Sequence, residues 1–353
     1  MKKRTLLLVT FAALSLALSA CTSALSSNGW PGLSTDQNNV YIADAQRVYA
    51  VRASDNSMIW RFPADKAGTG FYAAPELTKD GQLIFGGFDK ILYSVNPQTG
   101  AQNWTFTESG DKYVAPVLAT SDAIYAPSTD DKLYAVDFHG KPLWNFTTGN
   151  SLWAQPATDG NLIYLPSMDQ YLYALDKNGN LKWKTDLGGA LLGTPALGPD
   201  NVLYVGSLNN ELIAVNATNG SILWRFSTSG GVWAGPALKG NDLYFGDMKG
   251  TFYVLDKNTH KPVSSFQPDG PIVDTPVVAK DKVVFVTEAG NVIAVDFTGK
   301  QLWATNPVIN GKLYSNPLQV GDRFEIAITQ GDQLLVTVDQ DGRTVGTPFT
   351  PPK

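Results

Sequence analysis

The sequence predicts an all-β fold, an eight-bladed β-propeller of four-stranded antiparallel blades, and three observations lead there. A unit of about forty residues recurs along the chain, the composition is that of strands and tight turns, and no stretch shows helical periodicity. The recurrence is plainest between Ala135-Val136-Asp137-Phe138-His139-Gly140-Lys141-Pro142-Leu143-Trp144 and Ala294-Val295-Asp296-Phe297-Thr298-Gly299-Lys300-Gln301-Leu302-Trp303. Further copies occupy Ser94 to Trp104, Ala174 to Trp183 and Ala214 to Trp224, and a looser one runs from Ala50 to Trp60. Two are degraded, with Ser264 and Gly346 in the tryptophan slot.

Those slots, at 60, 104, 144, 183, 224, 264, 303 and 346, lie 39 to 44 residues apart and consume nearly the whole chain after residue 29. Upstream of each, the same order recurs: a proline, a short apolar strand, a second strand, then the motif. The prolines are Pro31, Pro75, Pro116, Pro156, Pro195, Pro236, Pro276 and Pro317. Second strands include Leu83-Ile84-Phe85, Ala123-Ile124-Tyr125, Leu162-Ile163-Tyr164, Val202-Leu203-Tyr204 and Leu243-Tyr244-Phe245. Each unit thus supplies about four strands, the recipe of a propeller blade. Within the motif the Asp or Asn can hydrogen-bond its own backbone and the Gly supplies a positive φ, so this segment is a hairpin turn. The tryptophan follows on the outermost strand, where its ring can fill the wedge between blades. The predicted docking tryptophans are Trp60, Trp104, Trp144, Trp183, Trp224 and Trp303.

Composition narrows the function. Formal charge is −5, from 27 Lys and Arg against 32 Asp and Glu, without a basic cluster. Nucleic acid is therefore not an expected partner, because phosphate binding needs a concentrated positive face. Gly 33 and Pro 21 supply turns, while 14 Tyr, 16 Phe and 9 Trp suit strands.

The N-terminus reads as an address. Lys2, Lys3 and Arg4 precede an apolar run from Leu6 to Leu18, and those 13 residues are too few for a helix across a bilayer core of ~30 Å. Leu18-Ser19-Ala20-Cys21 resembles the bacterial lipobox, which implies cleavage before a lipidated Cys21. Residues 1–20 are thus expected to be a lipoprotein signal peptide, 21–29 a flexible tether and 30–353 the propeller. The expected location is a membrane surface: the periplasmic face of an outer membrane, or the outer face of the cytoplasmic membrane in a host without one. Cys21 is the only cysteine, so no internal disulfide is possible.

The pattern Ala-x-Asp-x-x-x-Gly-x-x-x-Trp, with Asn for Asp or one residue fewer in some copies, resembles the tryptophan-docking motif of the quinoprotein-type (PQQ-like) propellers. The resemblance covers essentially the whole mature chain and carries over the blade architecture. Enzymes of that kind would imply a quinone pocket with calcium, an aspartate base and often a vicinal disulfide, and no motif here matches such a set. No catalytic residue, metal ligand or cofactor is therefore expected. Asp137, Asp176, Asp256, Asp296 and Asp339 share one turn slot and serve the blade. His139 and His260 fall in those same turns.

Lipobox, repeat number and length together resemble the BamB family, the propeller lipoproteins of outer-membrane β-barrel assembly. That resemblance implies a monomeric, non-catalytic scaffold binding a protein partner in the cell envelope. The alternatives are a PQQ-dependent or degenerate dehydrogenase, and a cell-surface carbohydrate- or ligand-binding propeller. Three residues before the repeat prolines stand Tyr72, Tyr113, Trp153, Leu192, Trp233, Val273 and Tyr314. The strand after each proline should be innermost, so the aromatic members, Tyr72, Tyr113, Trp153, Trp233 and Tyr314, are expected either to collar one mouth of the central channel as a binding site or to plug gaps between blades.

Overall fold

A computed structural model of the protein describes residues 30–65, 70–306 and 309–352. The expected signal segment, Cys21 and the 21–29 tether lie outside the described residues. The described chain forms eight separate four-stranded antiparallel sheets, each built from four consecutive strands. One blade shows the plan: Leu118–Ala119 pairs with Ile124–Pro127, which pairs with Lys132–Val136, which pairs with Pro142–Thr147.

The four strands of a blade differ in environment, and the sequence reflects it. The second and third strands are buried on both faces, as in Leu83–Gly86 and Val292–Val295, because neighbouring blades cover both sides. They therefore read as continuous apolar runs. The outermost strand has one face in water and alternates, as Pro142–Thr147 does. The core is accordingly distributed between blades. Tyr164, Leu172 and Ala174 of the fourth blade, for instance, pack against Leu203, Val205, Ile213 and Val215 of the fifth.

Each motif tryptophan meets the turn of the next blade. Trp60 Nε1 donates to the Pro97 carbonyl at 2.8 Å, Trp104 to Phe138 at 2.9 Å, Trp144 to Lys177 at 2.9 Å, Trp183 to Ala217 at 3.1 Å and Trp303 to Gln340 at 2.8 Å. The turn glycine lies under the ring of the preceding blade: a Cβ on Gly140, whose φ is 77°, would stand 2.5 Å from Trp104 Cε3. Glycine is thus required here twice, for its φ and for the close approach. The motif alanine pairs directly with the tryptophan, as in Ala135↔Trp144 and Ala174↔Trp183, and a register shift follows it in both. A small side chain there leaves room for the ring.

Two departures have local reasons. In the sixth blade His260 takes the glycine slot with φ 57°, and Trp224 stacks on its imidazole with ring centroids 4.9 Å apart. Where Ser264 replaces tryptophan, its hydroxyl donates to the Thr298 carbonyl at 2.7 Å. The shared aspartates hold the turns: Asp137 Oδ1 accepts the amides of His139 at 2.8 Å and Lys141 at 2.9 Å. Asp176, Asp256, Asp296 and Asp339 do the same in their own blades.

Among the described residues, closure of the ring uses no exchanged strand. Blade eight ends on its own outer strand, Thr344–Phe349, and meets blade one side by side. Gly346 offers no ring, so Asn56, in the glycine slot of blade one with φ 57°, reaches across instead. Its Nδ2 donates to Thr337 Oγ1 at 3.0 Å and to the Thr347 carbonyl at 3.2 Å. Thr337 in turn bonds the carboxyl of Glu325 at 2.9 Å, and Glu325 is only 1% exposed. Leu33, Tyr49, Leu335 and Phe349 form the apolar part of this seam.

Candidate functional site

The short first strands after the prolines are innermost, and they touch their counterparts in neighbouring blades. The loops entering blades two to seven are each anchored by one recurring bond to the turn between the second and third strands of the preceding blade. Examples are Phe71 N to Ala45 O, Leu152 N to Ser128 O, Leu191 N to Ser167 O, Val232 N to Ser207 O and Ile272 N to Asp247 O. These donors, four residues before their prolines, are buried. The residue after each one is thereby aimed at the axis, and a cavity of about 870 Å³ opens there.

Tyr72, Trp153, Trp233 and Tyr314 line this cavity, together with Leu192 and Val273. Tyr113 does not. Its amide makes the anchoring bond to Gly87 O at 3.2 Å, the role played by Phe71 and Leu152 elsewhere. The entry loop of the third blade is one residue shorter before Pro116, so Tyr113 occupies the buried slot and Val114 faces the channel. Tyr113 is 0% exposed and packs with Phe106, Val117 and Tyr134. The expected collar is thus corrected at this position: counting back from the proline missed a deletion that the hydrogen-bond register reveals.

Trp30 was not among the expected rim residues, yet it lines the same cavity. Its ring lies 6.1 Å from Tyr72 and 6.0 Å from Trp153, bridging the second and fourth blades over the recess left by Val114. The signal available in the sequence was the Trp30-Pro31 pair, which places an aromatic next to the first repeat proline.

Below the rings the wall is polar. Glu76, Gln155, Asp274, Thr275 and Asn316 line it, with Glu288 nearer the rim. Asp274 accepts the amide of Thr275 at 2.7 Å and that of Asn316 at 2.6 Å, linking adjacent inner strands. Burial pushes its carboxyl up to about 6, against those two amides. Glu288 is paired with Lys312 and the Tyr314 hydroxyl, each at 3.2 Å. Burial pushes Glu76 up to about 7, opposed only by the Gln155 side chain. No lysine or arginine is among the described residues lining the cavity. Among the described residues no group of three or more His, Cys, Asp or Glu is placed to hold a metal.

Overlapping segments of the chain, 22–138, 88–190, 169–261 and 209–347, match a family model described as outer membrane protein assembly factor BamB. The chain belongs to this BamB family of PQQ-like repeat propellers. A search of curated proteins returns no match. Among solved structures, BamB from Moraxella catarrhalis is similar with a TM-score of 0.72 at 18% identity, over 86% of this chain and 92% of that one. The computationally designed Ika8 protein is similar with a TM-score of 0.75 at 13% identity, over 89% and 97% of the two chains. At these identities the likeness is one of fold.

Repeats of the BamB family are shared with quinone enzymes, which hold pyrroloquinoline quinone. That cofactor is a polycarboxylate. The described lining supplies carboxyls from Glu76, Asp274 and Glu288 and no lysine or arginine to meet such an anion, so these residues do not fit it.

Proposed function

We propose that the protein is a non-catalytic propeller lipoprotein, anchored to a membrane through Cys21, that acts as a protein-binding scaffold in the cell envelope, in outer-membrane protein assembly where the host has an outer membrane. The observation that carries this reading is the match to the BamB family through all eight repeats, residues 22–347. The surface offers what a scaffold needs. Hairpin turns crowd one end around an aromatic-lined mouth, and the outer strands expose Leu143, Leu223, Val263 and Leu302, each about half accessible, beside unpaired strand edges. The partner is expected to be a protein of the envelope bound by a single propeller.

Crosslinking of the full-length lipidated protein in intact cells, followed by purification and mass spectrometry, tests the reading. Stoichiometric recovery of a β-barrel assembly protein is the expected result. Recovery of glycans or a small ligand without any protein partner would overturn it and favour a ligand-binding propeller, the reading supported by the half-buried aromatics of the channel mouth.

A further inference from the structure

The channel mouth combines two features that are each ordinary and together are selective. The first is a set of half-buried aromatic rings, Trp30, Tyr72, Trp153, Trp233 and Tyr314, around one cavity of about 870 Å³. The second is a wall whose charges are all negative. Of the lysines near the rim, Lys312 pairs with Glu288, Lys90 bonds the Gly110 carbonyl at 2.7 Å, and Lys112 sits over the Phe88 ring at 5.2 Å. No lysine or arginine is among the described residues lining the cavity.

The three carboxylates differ in what they still lack. Asp274 is satisfied by two backbone amides, and Glu288 by a lysine and a tyrosine. Glu76 lines the cavity from the innermost strand of the second blade, where the Gln155 side chain opposes the effect of its burial, and among the described residues it makes no ion pair and accepts from no backbone donor. The adjoining rings of Trp30, Tyr72 and Trp153 line the same cavity. A carboxylate removed from bulk water without a countercharge is costly. The neighbouring ring faces carry negative quadrupole charge, which favours a cation. A neutral sugar would leave Glu76 uncompensated, and an anion would be repelled.

We infer that the channel mouth is a binding site for an organic cation, an ammonium group on an aliphatic stem, whose charge is met by Glu76 and whose stem is held against Trp30, Trp153 and Trp233. Such a group can come from a free amine or from a lysine side chain of a polypeptide. The inference goes beyond the scaffold reading and does not depend on it, because Glu76 lies inside the channel and the scaffold's outer edges do not.

The full-length protein in detergent, titrated at pH 8 with n-butylammonium, with the uncharged n-butanol and with the tripeptide Ala-Lys-Ala, tests it by tryptophan fluorescence and calorimetry. Saturable binding of the ammonium probes, absent for butanol, is expected, and Glu76→Gln should weaken it at least tenfold without lowering the melting temperature. Trp153→Ala should weaken it as well, as a second variant that leaves the carboxylate in place. Tighter binding of the tripeptide would identify a polypeptide source, and tighter binding of the free amine a small molecule. Equal binding of butanol, no saturation by either cation, or an unchanged affinity in Glu76→Gln would each overturn the inference.

Discussion

Replacing Glu325 by Gln should flatten the pH dependence of stability, and the size of the effect follows from the seam between the last and first blades. Glu325 is 1% exposed, its partner is the Thr337 hydroxyl, and burial raises its carboxyl from 4.5 to about 7. The folded protein therefore holds a proton here that the unfolded chain releases above about pH 4.5. Stability contributed by the neutral acid is fully present below that value and is lost as pH rises to about 7. At about 1.4 kcal/mol for each tenfold change in proton affinity, the loss amounts to about 3 kcal/mol. An unfolding entropy of about 2.1 cal/mol/K per residue converts this to about 4 °C in melting temperature for a chain of this length. Glu76, raised to about 7, and Asp44 and Asp274, raised to about 6 by burial, act in the same direction, so the wild type alone cannot isolate Glu325. The decisive quantity is the difference between variant and wild type, measured by calorimetry at pH 5 and at pH 8. Glu325→Gln should match the wild type within about 1 °C at pH 5 and exceed it by about 4 °C at pH 8. A constant offset at both pH values would refute the account, because it would mean that the carboxyl is already ionised in the folded seam at pH 5, as it is in the unfolded chain.

Other substitutions separate packing from function. Gly140→Ala drives a Cβ to within 2.5 Å of Trp104 at φ 77° and should cost about 2 kcal/mol or more in denaturant unfolding; Gly160→Ala, at φ 90° with open space around it, should cost about 1 kcal/mol. Trp144→Ala removes both a docking ring and its bond to Lys177 and should cost about 3 kcal/mol or more, whereas Trp153→Ala at the channel mouth should cost about 1 kcal/mol or less. An equal fall in melting temperature for both would assign Trp153 to the core. Tyr113→Phe should leave stability within about 0.5 kcal/mol, since the buried hydroxyl has no hydrogen-bond partner among the described residues, while Tyr113→Ala should cost about 3 kcal/mol or more by opening a cavity.

Much of the architecture was legible in the chain because a propeller blade is a local object. Its four strands are consecutive, its turns are written by Asp137-like and Gly140-like positions, and its tryptophan reaches only to the next repeat. Neighbouring blades repeat one contact, so reading one unit reads nearly all of them. Sequence could also place Tyr72, Trp153, Trp233 and Tyr314 on a common axis, since each follows a buried residue at a fixed distance before a proline. That inference failed at Tyr113, where one missing residue moves the ring from the channel to the core, and only the bond to Gly87 O shows which register the backbone adopts. The tertiary structure alone decided what meets across the ring. Asn56 and Thr337 are 281 residues apart, and Trp30 meets Trp153 over the channel. Contacts of that kind depend on the number of blades and their angle of closure, quantities spread over the whole chain, and no local motif encodes them. For the same reason, the acidic wall beneath the aromatic rings emerges only when Glu76, Asp274 and Glu288, from different blades, are brought to one axis.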